Sequence, residues 1–166
     1  MSTNFLTEKC WSSSNLRRFG ICDDTPPPSI PAYLNEIDGK KWIAVVHNDR
    51  QIKVEFVAID NCIEFSKRDD GKDKKRCDGA LFYEDTVIFV ELKDIVGAAK
   101  NWADPEQLMS AIAEFETTGL AKKYSVKRAH LVNKQRPVFD RGQAVKINTF
   151  FKQTGYELRL NVHIDI

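Results

Sequence analysis

The chain has 166 residues, of which 42% are hydrophobic and 30% charged, and a formal net charge of +1. A chain of that length fits one domain, burying roughly 68–70% of its unfolded surface, so a core forms without covalent staples. The balanced charge excludes the global basic bias of a strong nonspecific DNA binder, and no apolar run approaches the roughly 20 residues of a membrane helix.

Residues 1–9 lack the basic start and apolar core of a signal peptide, which makes a cytoplasmic setting the expectation. In that setting Cys10, Cys22, Cys62 and Cys77 are expected as reduced thiols. They form no Cys-x-x-Cys pair, and His47, His130 and His163 are scattered without ligand spacing, so zinc is not expected. Residues 1–40 read as an arm or loop packed on the core, because Ser12-Ser13-Ser14 and Thr25-Pro26-Pro27-Pro28-Ser29-Ile30-Pro31 resist helix and sheet. Residues 41–166 read as the functional domain. Two apolar runs, 42–46 and 52–59, flank His47-Asn48-Asp49-Arg50 and predict a hairpin, with 62–65 as a further short strand or a continuation after a bend.

The most informative segment is Cys77-Asp78-Gly79-Ala80-Leu81-Phe82-Tyr83-Glu84-Asp85-Thr86-Val87-Ile88-Phe89-Val90-Glu91-Leu92-Lys93. Read as two strands, it places Ala80, Phe82, Val87 and Phe89 on one face and Leu81, Ile88, Val90 and Leu92 on the other, so both faces are covered. A two-residue turn at Glu84 and Asp85 sets Tyr83 against Thr86 and Asp78 against Glu91, with Cβ atoms roughly 4.5–5.5 Å apart. Lys93 then shares the face of Glu91. Glu-Asp is not the Asn-Gly or Asp-Gly that a primed turn prefers. Two facing carboxylates in a covered sheet are unfavourable unless paired or metal-bound. Mg2+ or Mn2+ would remove the conflict, and the Lys93 ammonium would stand beside an attacking water.

Downstream, Asp104-Pro105-Glu106-Gln107 has the N-cap, first-position and third-position residues of a helix start. Leu108, Met109, Ile112 and Phe115 recur at helical spacing, and Gly119 sits where a C-terminal cap belongs. Residues 126–132 predict a strand parallel to the one carrying Glu91. A second helix is predicted over 143–153, ending before Gly155. The last strand alternates Leu158, Leu160, Val162, Ile164 and Ile166 against polar residues, as at a sheet edge.

The Asp78, Glu91-Leu92-Lys93 pattern resembles the PD-(D/E)xK nuclease superfamily, over roughly residues 40–134. The resemblance implies an α/β fold, a single domain with a central mixed sheet flanked by helices and a restriction-endonuclease-like core of helix, three strands, helix and strand. It further implies Asp78 and Glu91 as metal ligands, the Leu92 carbonyl as another, and Lys93 as the catalytic lysine. Cys77 replaces the proline of the family name. The first-helix glutamate of many members has only Glu36 as a counterpart, and Gln107 is a possible accessory residue. The implied cofactor is Mg2+ or Mn2+, and the implied partner is nucleic acid, DNA rather than RNA, with a homodimer favoured for cutting both strands of a duplex. Two basic runs, 67–76 and 121–136, supply expected phosphate contacts at Lys72, Lys74, Lys75, Arg76, Lys127 and Arg128. An alternative is a catalytically silent binding or immunity-type module that inhibits a protein partner.

Overall fold

The computed structural model describes residues 3–24, 29–95, 104–135 and 143–166. The sequence readings that fall wholly or partly on 25–28, 96–103 and 136–142, including the proline run, lie outside that description. Strands β1 (Trp11–Ser14), β2 (Arg18–Cys22) and β3 (Tyr33–Asn35) come first, followed by β4 (Ala44–His47), β5 (Val54–Ala58), β6 (Gly79–Tyr83) and β7 (Thr86–Lys93). Helix α1 (Glu106–Glu116), β8 (Val126–Asn133), α2 (Ala144–Thr154), β9 (Glu157–Arg159) and β10 (His163–Asp165) complete the order. The protein is α/β, with a mixed six-stranded sheet in the order β1-β5-β6-β7-β8-β9 and a second sheet in the order β10-β4-β2-β3.

The central hairpin has the register that its apolar pattern requires. Tyr83 pairs with Thr86, and the ladder runs back through Phe82 with Val87 to Gly79 with Val90. The turn is a primed one in its first central residue, since Glu84 has φ 49°. A left-handed backbone costs a residue with a Cβ about 1–2 kcal/mol. The ladder on either side holds it, and Arg50 reaches Glu84 at 2.7 Å. Alternation then sends Ala80, Phe82, Val87 and Phe89 into a core with Leu108, Ala111, Ile112, Phe115 and Phe150 from the helices. Leu81, Ile88, Val90 and Leu92 enter a second core with Phe19, Ile21, Val46 and Ile164 of the other sheet. Each large apolar side chain so buried is worth roughly 1.5–3 kcal/mol, which is why a second layer covers each face of the sheet.

The predicted crossover is present. Every residue of β7 pairs in parallel with β8, from Thr86 with Val126 to Lys93 with Asn133. Between them α1 starts at Glu106, one residue later than its proline suggests, and Asp104 still accepts a hydrogen bond from the Glu106 N–H at 3.0 Å. Its other end differs: Gly119 opens a 3-10 turn, and the hydroxyls of Thr117 and Thr118 donate to the carbonyls of Glu114 and Phe115.

Several expectations need correcting. The first forty residues are not an arm alone, because β1 lies on the edge of the large sheet against β5 and β2 lies inside the small one. Ser12 and Ser13 of β1 are exposed and Ser14 is buried, and an edge strand needs only one covered face. Strands β4 and β5 do not form a hairpin; they belong to different sheets. Buried Asn48 turns the chain between them, donating to the carbonyls of Leu16 and Ile52 and accepting from the Ile52 N–H. Residues 62–65 form no strand, and Cys62 is disulfide-bonded to Cys10 rather than reduced; Cys22 and Cys77 are free and buried. The C-terminal alternation is split: β9 pairs with β8, then the chain crosses at Asn161 and β10 pairs with β4. Leu158, Leu160, Val162 and Ile164 stay buried throughout, the first two in the helix-side core and the last two between the sheets. Among the described residues no α-helix precedes β5, so the first helix of the resembled core has no counterpart there.

Candidate active site

The Asp78 end of the hairpin opens on a cleft of about 370 Å³ lined by Asp23, Asp60, Arg76, Asp78, Glu91, Leu92, Lys93, Asp94, Ile95 and Gln107. Three chain segments meet side by side there. The β5–β6 ladder continues past its last pair through Ile59 N–H to Asp78 C=O at 2.9 Å and Asp60 N–H to Cys77 C=O at 3.1 Å. On the other side β7 brings Glu91, Leu92 and Lys93 to the same end. Gly79 keeps this junction tight: an added Cβ would stand 2.4 Å from the Phe56 ring and 2.7 Å from the Val57 carbonyl oxygen.

The Asp78 and Glu91 side chains meet within hydrogen-bonding reach, Glu91 buried and Asp78 half-buried at the cleft wall. Glu91 is 3% exposed, with Lys93 Nζ 3.2 Å from its Oε2. The Leu92 N–H donates to Asp78 Oδ2 at 2.6 Å. Burial, then the charge and hydrogen bond of Glu91, hold the Asp78 carboxyl far above the ordinary carboxylate range, against the lowering effect of that N–H. Asp23, which directly follows β2 of the other sheet, is pushed up to about 6 by burial and by the charges of Asp78 and Asp60. The Cys77 thiol, fully buried behind the cleft, is raised well above its usual value by burial and by Glu91 and Asp78, which keeps it neutral. Five carboxylates thus face two cations, Arg76 and Lys93. Arg76 is fixed by the Ile63 carbonyl at 3.0 Å and by Asp60 at 3.4 Å.

The structure therefore brings together Asp78, Glu91, Leu92, Lys93, Gln107 and Arg76. Glu36 is elsewhere: it is exposed, follows β3, and accepts from the Ser14 hydroxyl at 2.8 Å. The remaining basic residues are differently placed from the groove expected of them. Lys74 pairs with buried Glu114 at 2.7 Å, Lys75 with Glu106 at 2.5 Å and Lys127 with Glu116 at 2.7 Å. Lys72 is exposed. Arg128 is no surface group at all; 8% exposed, it lies inside the protein, donating to the Tyr83 hydroxyl and the Asp165 carbonyl. Lys127 pairs with Val87, six residues before Lys93 on β7, which puts it about 20 Å along the strand from the cleft. Among the described basic residues of that run, Lys134 is tied to the cleft end of β7, its N–H bonding the Lys93 carbonyl at 2.9 Å.

No protein-family model, no curated protein and no solved structure matches this chain.

What the cleft can hold follows from its donors alone. Among the described residues no three His, Cys, Asp or Glu side chains form a ready-made metal cage. Mg2+, however, is commonly held by one or two carboxylates with waters and substrate oxygens completing the shell. Asp78 and Glu91 fit that description, and two touching, largely desolvated carboxylates need either a shared proton or a cation. The N–H and C=O of one strand residue point the same way, so the Leu92 carbonyl is directed to the side of Asp78. Three lining acids, Asp23, Asp60 and Asp94, were missed in the sequence. Asp60 and Asp23 each stand just beyond the end of a strand, but Asp23 belonged to a segment read as an arm.

Proposed function

We propose that this chain is a metal-dependent nuclease of the PD-(D/E)xK kind, with a restriction-endonuclease-like arrangement of β5, β6, β7, α1 and β8. The observation that supports this reading most is the contact of half-buried Asp78 with buried Glu91, beside Lys93, in the wall of a cleft. Asp78, Glu91 and the Leu92 carbonyl would hold Mg2+ or Mn2+, which supplies Lewis-acid polarisation of a phosphodiester and lowers the pKa of a bound water. Lys93, 3.2 Å from Glu91, orients the water and offsets negative charge growing on phosphorus. Arg76 at the rim presents a guanidinium to a phosphate oxygen, and Gln107 offers an amide from the first turn of α1. The proposed substrate is nucleic acid, DNA before RNA. The proposed setting is the cytoplasm, although the Cys10–Cys62 disulfide counts against it, since such bonds are rare there.

The test is cleavage of single- and double-stranded DNA and RNA with Mg2+ or Mn2+. Wild type is expected to cut, and Asp78→Ala and Lys93→Ala are expected to lose about 10²-fold or more in rate with unchanged circular dichroism. Inactivity of wild type on all four substrates with both metals refutes the reading. A second reading, a silent module that inhibits a protein partner, is favoured by the ion pairing of Lys74, Lys75 and Lys127 and the burial of Arg128. It predicts no heat when Mg2+ or Mn2+ is titrated into wild type, whereas the nuclease reading requires a signal that Glu91→Ala removes.

A further inference from the structure

Two histidines 116 residues apart in the chain converge on the outer face of the small sheet. His47 ends β4, His163 opens β10, and these strands are parallel neighbours. His47 Nε2 lies 2.8 Å from His163 Nδ1, with ring centroids 5.0 Å apart and planes inclined at 42°. His163 is exposed and His47 half-buried, and neither residue lines the cleft. The register fixes what surrounds it: Arg18 of β2 stands opposite His47 on one side and Asp165 of β10 on the other. Their charges offset each other across His47.

A hydrogen bond 2.8 Å long uses one imidazole as donor and the other as acceptor, so the two ring nitrogens already face each other. Neutral imidazole is the commonest protein ligand for borderline transition metals. With Zn–N bonds of about 2.0–2.1 Å, tetrahedral zinc sets two ligand nitrogens about 3.3 Å apart. Opening the pair by about half an ångström, a small rotation of two solvent-facing side chains, therefore makes a bidentate site whose other positions are filled by solvent. We propose that His47 and His163 bind a borderline transition metal ion such as Zn2+, clamping edge strand β10 to β4. Linear spacing hides this site, since the two ligands meet only because β10 leaves the large sheet and joins the small one.

Calorimetric titration of ZnCl2 into the full chain tests it, with imidazole proton spectra recorded in parallel. The expected result is a histidine-dependent step of one equivalent in wild type and in Glu91→Ala, lost in both His47→Ala and His163→Ala whatever heat the cleft itself contributes. Ring signals of His47 and His163 should move while those of buried His130 stay in place. Because the step is retained in Glu91→Ala, it stands or falls separately from the nuclease reading. Absence of the step in wild type, its survival in both histidine variants, or unmoved His47 and His163 signals at saturation overturns the proposal.

Discussion

Asp78→Asn should make the protein more stable at neutral pH in the absence of divalent metal, and the gain should vanish in acid. In the folded chain Asp78 is held far above its ordinary value of 3.8 by burial and Glu91, whereas in the unfolded chain it titrates normally. Between those two values the folded state binds a proton that the unfolded state releases. Stability is then fully present at low pH and falls as pH rises, by about 1.4 kcal/mol per pH unit for one such proton. From pH 5 to pH 7 the loss amounts to about 3 kcal/mol, a large share of the roughly 5–15 kcal/mol that holds a domain folded. Asp23, raised to about 6, adds to the same slope below that pH. Asparagine has no proton to lose and can donate to Glu91, so the variant's stability should vary less over this range. Urea midpoints at pH 5, 6, 7 and 8 measure the difference. Adding Mn2+ at pH 8 should restore wild type and leave Asp78→Asn unmoved, because a ligand stabilises only the state that binds it. Equal pH slopes for the two proteins, or a variant less stable than wild type at pH 8 without metal, would refute the argument that the two carboxylates oppose each other in a largely desolvated site.

Two further outcomes follow from contacts outside the cleft. Reducing Cys10–Cys62, which closes a loop of 52 residues, should cost about 4 kcal/mol on chain-entropy grounds, read as a drop in urea midpoint with dithiothreitol that Cys10→Ser abolishes. Burial at 4% exposure raises the Glu114 carboxyl, but the hydrogen bonds it accepts from Lys74, Thr3 and Ser66 outweigh that and hold it down at about 2. That contribution is present above the ordinary value of 4.5 and lost as pH falls through about 2, and Glu114→Ala should cost about 2–4 kcal/mol at pH 7 by stranding its donors.

The parts of this fold legible from sequence are those where one strand's pattern decides its own surroundings. Ala80, Phe82, Val87 and Phe89 against Leu81, Ile88, Val90 and Leu92 announce two covered faces and one register, because a slip of one residue would exchange every side chain between the cores. The same logic finds α1 and the parallel strand β8. It fails where a pattern shows that a face is buried without saying by what. The alternation from Leu158 to Ile164 is equally satisfied by one strand or by two strands in different sheets, and the crossing at Asn161 takes the second course. In the N-terminal segment Ser12, Ser13 and Ser14 have little propensity for a sheet, and β1 forms because β5 offers its edge.

The candidate site divides along the same line. Asp78, Glu91 and Lys93 are tied by one local register, so their meeting follows from counting along two strands. Asp23 and the Cys10–Cys62 bond depend on how separate segments dock, which no local spacing encodes. Charge is the extreme case, because a cation's reach is long while its neutralisation is decided by a single partner. Lys74, Lys75 and Lys127 find those partners in Glu114, Glu106 and Glu116, and Arg128 is taken inside the fold by Tyr83. On the proposed nuclease reading, a phosphate entering the cleft would be met by Arg76 and Lys93 and by a cation held at Asp78 and Glu91, since five acids line the same walls. Substrate affinity should accordingly rise with divalent metal and show a shallow salt dependence, as only a few phosphates are neutralised by protein charges.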